Sequence, residues 1–201
     1  MLDTPKRDRR AERREATKAE IVDAAWELCA AEGLAGLSLR ELAGRVGMQA
    51  PSLYSYFSSK HDIYDAMFAE GYRQFLAVRI PYEDATPLEG LRMMAHRFAE
   101  FSTSNPVRYQ LMFQRTIPGF EPSAESYAIS VAGFEDFRSW MEALGIAHAI
   151  DMFTGVVTGL VDQQLSNEPG GDRWLRLIDD AMEMLLAHAE STRPQKKRTR
   201  K

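Results

Sequence analysis

The chain has a single cysteine, Cys29, among its 201 residues. That excludes an internal disulfide framework and a thiolate-rich metal cluster. Its four histidines, His61, His96, His148 and His188, show no metal-ligand spacing among themselves. A glycine-rich phosphate loop is missing, as are any internal repeat and any sustained strand-like alternation. No apolar run approaches the roughly 18 residues that span a bilayer, and the first residues are charged rather than signal-like. A soluble, cytoplasmic protein with no membrane partner is therefore expected. An enzyme finds little support. Cys29 falls on the apolar face of its helix with no partner base, and the many Asp and Glu pairs read as solvated faces. No catalytic residue, metal or cofactor is expected.

What is present is ordinary in amount and uneven in placement. With 45% hydrophobic and 27% charged residues, the chain can bury a sizeable core. The net charge of −4 argues against a nucleic-acid partner when taken alone. Residues 1–60, however, carry 10 basic and 9 acidic side chains, residues 61–191 carry 9 and 20, and the last ten carry 6 and none. A near-neutral head, an acidic body and a basic tail call for separate partners, with any DNA surface confined to the head and the tails.

The chain reads as helix throughout, an all-α fold. Residues 1–13 are charged with little to bury and read as a mobile, disordered arm. From about Thr17 to Glu32, the residues Ile21, Val22, Ala25, Leu28 and Cys29 mark one helical face, and Gly33 supplies a stop. Ser38 and Glu41 form an S-x-x-E capping box for a short second helix. Gly47 fits a turn, and a third helix begins near Pro51. Ser58 and Ser59 offer caps for a fourth, roughly Lys60 to Arg79. A helix pair joined through a tight glycine turn is the helix-turn-helix unit, although a plain three-helix bundle has the same spacing.

The stretch QAPSLYSYFSSK, Gln49 to Lys60, favours the first alternative. On a helical wheel Leu53 and Phe57 point one way, while Pro51, Ser52, Tyr54 and Ser55 cover the other and Tyr56 lies on a flank. Short hydroxyls and flat apolar atoms suit a major groove, where they meet base edges and thymine methyls. Gln49 has the bidentate geometry for adenine, and Arg40 on the preceding helix that for guanine. Lys60, at the start of the next helix, reads as a phosphate anchor.

The segment Ile21 to Phe68 resembles the DNA-binding domain of the tetracycline-repressor (TetR) family of bacterial transcription regulators. It carries, in order, A-x-E-L-x-A-x-x-G, L-S-L-R-E-L-A-x-x-V-G and L-Y-x-Y-F-x-x-K. The resemblance implies a recognition helix at Gln49–Phe57, with base contacts from Gln49, Pro51, Ser52 and Tyr54. Ser38 and Arg40 would add contacts from the second helix, and Tyr54, Tyr56 and Lys60 would hold phosphates. Ala50 would contribute backbone only, and Tyr56 stands where the family commonly has histidine. The implied organisation is an arm at 1–13, a three-helix DNA-binding domain at 14–60, a connecting helix at 61–80, a helical ligand-binding and dimerisation domain at 81–191, and a basic disordered tail at 192–201.

In the body, helices are expected at Pro87 to Thr103, over NPVRYQLMFQ, at Ser123 to Leu144, at Ala147–Ser166 and at Asp172–Ser191. The resemblance implies a homodimer through the last two, about 147–166 and 172–191. It also implies release from a palindromic double-stranded DNA operator by a small effector. Met93, Met94, Phe101, Tyr109, Met112, Phe113, Phe134, Trp140, Met152 and Phe153 are candidates to line an apolar or aromatic effector's pocket. Methionine and aromatic stripes at helical spacing are core more often than ligand lining. His96 and Arg97 read first as a solvated helix face, with orienting a polar group of the effector as the alternative. A competing reading keeps the helical, ligand-binding body without specific DNA binding.

Overall fold

The computed structural model describes residues 8–77 and 85–194. Among them all regular structure is helical, and the chain divides into two compact units. The first holds Met1–Gly71 and Gln110–Tyr127, and the second Tyr72–Tyr109 and Ala128–Lys201. Residues 61–71 and 110–127 thus group with the N-terminal helices. The tail beyond residue 194 lies outside the described residues, as does most of the expected arm.

In the first unit, α1 runs Arg9–Glu32, two turns longer than the expected start at Thr17. Residues 9–13, read from the sequence as part of a mobile arm, are helical. The Asp8 carboxylate accepts from the backbone N–H groups of Arg10 and Ala11, and good helix formers follow. Gly33, at φ 74°, closes the helix. A 3-10 turn at Leu34–Gly36 leads to α2, Leu39–Arg45, capped by Ser38 as expected, and Gly47 makes the turn at φ 67°.

Helix α3 is shorter than the sequence suggests, Ala50–Leu53 rather than Gln49–Phe57. The Ser55 hydroxyl donates to the Ser52 carbonyl at 2.7 Å, and such side-chain bonding competes with helix propagation. Tyr54 to Tyr56 therefore form a turn. Helix α4, Lys60–Ala77, follows, and its expected last residue, Arg79, lies outside the described residues. Its first turn is fixed by Asp62, which accepts from the Ser59 hydroxyl and the Ser58 N–H, while Ser59 Oγ accepts from the Asp62 N–H. Ile21, Leu28, Cys29, Leu42, Leu53, Ile63 and Met67 fill the core between these helices. Asp65 of α4 accepts from the Ser123 N–H and from the hydroxyls of Ser123 and Ser126. Phe120 packs edge-on against Tyr64.

In the second unit α5, Pro87–Ser104, begins at a full capping box between Thr86 and Glu89. It packs on α8, Ile150–Asn167, and on α9, Ile178–Ser191, which also pack on each other. The short α6, Pro106–Phe113, and the long α7, Ala124–Ala143, each have residues in both units. The expected start at Ala147 is a 3-10 turn, Ala147–Ala149, ahead of α8; the expected start at Asp172 lies three residues before a second one, Leu175–Leu177, which leads into α9. Buried Gln164 closes the α8–α9 connection by donating to the Glu168 carbonyl and accepting from the Trp174 N–H. No helix among the described residues is long and apolar enough to cross a membrane.

Candidate nucleic-acid interface

The interface is built by what α3 buries. Leu53 and Phe57 are 2% and 7% exposed, and α3 packs on α2, so most of the remaining side chains of the segment are turned out. Gln49, Pro51, Ser52, Tyr54 and Ser55 are exposed, and Ala50 and Tyr56 are half-buried. Tyr54, at 55% exposure, is a large aromatic with no packing reason to be outside. Gln49 is extended, at φ −82° and ψ 144°, and its side chain makes no cap bond, which leaves its amide available. Ser38 and Arg40 are exposed at the start of α2. Part of Ser38's capacity is spent, because its hydroxyl caps Glu41 N–H at 3.4 Å.

Lys60, expected as a phosphate anchor, also makes contacts within the fold. Its ammonium donates to the Ala35 carbonyl at 3.3 Å and lies 5.5 Å from the centre of the Tyr64 ring. The Tyr64 hydroxyl donates to the neighbouring Leu34 carbonyl at 2.5 Å. The start of α4 is thus latched to the turn after α1, with two of the ammonium's three N–H donors still unspent. Burial pushes the Tyr64 hydroxyl up to about 12 and the Cys29 thiol up to about 11, the latter only partly offset by the Lys60 charge. Cys29 is therefore a protonated core residue.

One residue of this surface escaped sequence reasoning. Arg14 of α1 donates through Nη2 to the Ser55 carbonyl at 2.5 Å, and its guanidinium stands 5.1 Å from the centre of the Tyr56 ring. Nothing local signals a contact across 41 residues. Arg9, Arg10 and Arg13 fall in the expected arm at 1–13, and Arg14 is the first residue of the expected domain at 14–60, with no role assigned to it from the sequence.

The ten pocket candidates divide between the units. Met112 and Phe113 belong to the first, where Met112 packs on Gly71. Of the rest, Tyr109 and Phe153 are buried, and the Tyr109 hydroxyl already donates to Asp162 at 2.7 Å. Phe134 and Met152 are exposed. Met93, Met94, Phe101 and Trp140 are half-buried on α5 and α7.

An all-helical fold with a capped, glycine-turned helix pair at its head and an outward polar-aromatic third helix defines the class of helix-turn-helix proteins. Residues 21–67 match the family model of bacterial regulatory proteins of the tetR family. The chain is 29% identical over 176 residues to the HTH-type transcriptional repressor DrrR1 of Streptomyces coeruleorubidus, covering 82% of this chain and 60% of that one. It spans 53% to 60% of the length of the curated relatives it matches. The regulatory protein SCO4313 has the same fold, with a TM-score of 0.63 at 23% identity over 92% of this chain and 100% of that one. So has a TetR variant from Acinetobacter baumannii AYE in complex with minocycline, at a TM-score of 0.58 and 21% identity over 89% and 98% of the two chains. The family match covers the N-terminal helices, from Ile21 of α1 to Met67 of α4.

Proposed function

We propose that the protein is a transcriptional repressor that binds a palindromic DNA operator as a homodimer and is released by a small molecule held in its second unit. The observation that carries the reading is the exposed Gln49–Tyr56 face, held outward by buried Leu53 and Phe57. Small hydroxyls and the flat Pro51 let backbone and side chains approach base edges, and Gln49 is free to read adenine. Arg40, Tyr54, Tyr56 and Lys60 would hold phosphates or the groove edge. DrrR1, a named repressor, supports the direction of regulation. The minocycline complex supports a small-molecule site in this fold.

Two features support a dimer through α8 and α9. Gly155 and Gly159 of α8 face open space, with nothing within 4 Å of where a side chain would begin. Met152 beside them is 43% exposed, and Met184 of α9 is 63% exposed. Apolar and side-chain-free surface on the last two long helices is what a second copy of the chain would cover.

Release would be a population shift: an effector favours an arrangement in which the two heads no longer match the half-site spacing. Helix α4, with residues in both units, would carry the movement. The test is selection of bound duplexes from a random DNA pool at physiological salt, where non-specific phosphate binding is weak. An enriched palindrome with half-sites about one helical turn or more apart is expected. No enrichment by a folded dimer would sink the reading and leave the body as the functional part.

A further inference from the structure

We propose that Arg97 is an anion-binding residue of the effector site and that the effector is an aryl carboxylate. The inference rests on the reading that the second unit binds a small molecule. On α5, Gly90, Met94, Arg97 and Phe101 follow at helical spacing and form one stripe, on a different side from Leu91, Ala95 and Ser102; Gly90 is buried and the other three are half-buried. The stripe is flanked at both ends. Trp140 of α7 lies over Gly90, so close that a side chain there would begin 2.6 Å from the indole. At the other end Phe75 of α4 meets Phe101 edge-on, with ring centres 5.0 Å apart.

Arg97 stands between these contacts, its guanidinium 4.7 Å from the centre of the Phe75 ring. Its Nη2 is out of reach of water and has no hydrogen-bond partner. Arg92 Nε, Ser102 Oγ and Trp174 Nε1 share that condition. The Arg92 charge, however, is paired with Glu183 and Asp179, and the other two groups are neutral. Arg97 alone of the four is a charged group with no acidic partner among the described residues, although the side chain as a whole is only half-buried.

An unpaired, partly desolvated cation costs stability unless something completes it. A carboxylate does so with two parallel N–H···O bonds, because the guanidinium fork and the carboxylate are both planar. A dianionic phosphate would bring two charges to one cation. A flat aromatic body on the carboxylate would extend the stack that Phe75 and Phe101 begin, with Met94 adapting along its edge.

The test uses the full chain and calorimetric titration with 2-naphthoate and its neutral amide. Wild type should bind the acid at least about tenfold more tightly than the amide, a charge-assisted bond being roughly twice as strong as a neutral one. Arg97→Met should bind the two equally, with Arg97→Lys between. Without ligand, Arg97→Met should melt at or above the wild-type temperature. Equal binding of acid and amide by wild type, no binding of either, or an acid preference surviving in Arg97→Met would each overturn the assignment. So would a lower melting temperature for ligand-free Arg97→Met, since the charge would then serve the fold. Operator selection on the same wild-type protein separates the two readings. A palindrome without acid preference refutes the subsite alone, and acid preference without a palindrome refutes the operator alone.

Discussion

Arg14 and Tyr56 are stacked, guanidinium over ring at 5.1 Å, while the same guanidinium donates to the carbonyl of Ser55. The turn that ends the recognition segment is thereby pinned to α1. A four-residue helix cannot hold its own exposed side chains in register, because it closes too few backbone bonds. Replacing Arg14 by Ala should lower stability by about 1 kcal/mol, from an exposed cation–π contact and a hydrogen bond. Operator affinity should fall several-fold, more than stability alone explains. Arg14→Lys, lacking the fork, should restore charge but not the bond to Ser55. Operator binding by Arg14→Lys equal to wild type would reduce the role of Arg14 to its charge.

Gln49 is extended, exposed and makes no cap bond, and in the proposed reading it is the side chain that reads a base. Gln49→Ala should cost about 1–3 kcal/mol of discrimination at one symmetric base pair of the operator and little at the others. Tyr54→Phe, by contrast, should weaken binding evenly across sequences if its hydroxyl meets phosphate. Binding of every single-base operator variant, compared between wild type and the two substitutions, distinguishes a base reader from a backbone holder.

The first turn of α4 confers an acid dependence. Hydrogen bonds from Ser59 and then Ser58 hold the Asp62 carboxyl below its ordinary value of 3.8. A group whose value is lowered in the folded state favours folding when ionised. Its contribution is complete above the unfolded value and is lost as pH falls through the folded one. Asp62→Asn should therefore melt below wild type at neutral pH, and the difference should close as pH drops below 3.8. A difference that persists unchanged in acid would mean the charge plays no part. Ser59→Ala, removing the hydroxyl that bonds Asp62, should cost about 1 kcal/mol.

The head was largely legible because its signals are local. A Ser38 cap, a Gly47 turn and the four-residue spacing of Leu53 and Phe57 each depend on neighbours in sequence. What failed to show was long-range or competitive. The Ser55 hydroxyl stops α3 early by taking a carbonyl that the helix would otherwise use. Lys60 turns to Ala35, and Arg14 to Ser55, across 25 and 41 residues, and no periodicity carries such pairings. In the body, Met112 and Tyr109 look alike in sequence as apolar helix positions. Only packing shows that one abuts Gly71 while the other bonds Asp162. Apolar periodicity reports that a residue is buried and is silent on what buries it.

Gly159 offers a direct test of the dimer. Its position in the protomer is open, and glycine inside a helix costs about 1 kcal/mol relative to alanine. An isolated protomer should thus gain from Gly159→Leu, since the new side chain meets nothing. A dimer packed through α8 should lose, because the leucine occupies the space into which the partner's helix would approach. The expected outcome is a shift toward monomer in sedimentation, a melting temperature that falls with dilution more steeply than that of wild type, and weaker operator binding at nanomolar protein. Gly155→Leu, one turn away on the same open face, should behave alike. If both variants remain dimeric and melt higher than wild type, the partner is held elsewhere, and the exposed Met152 and Met184 need another occupant.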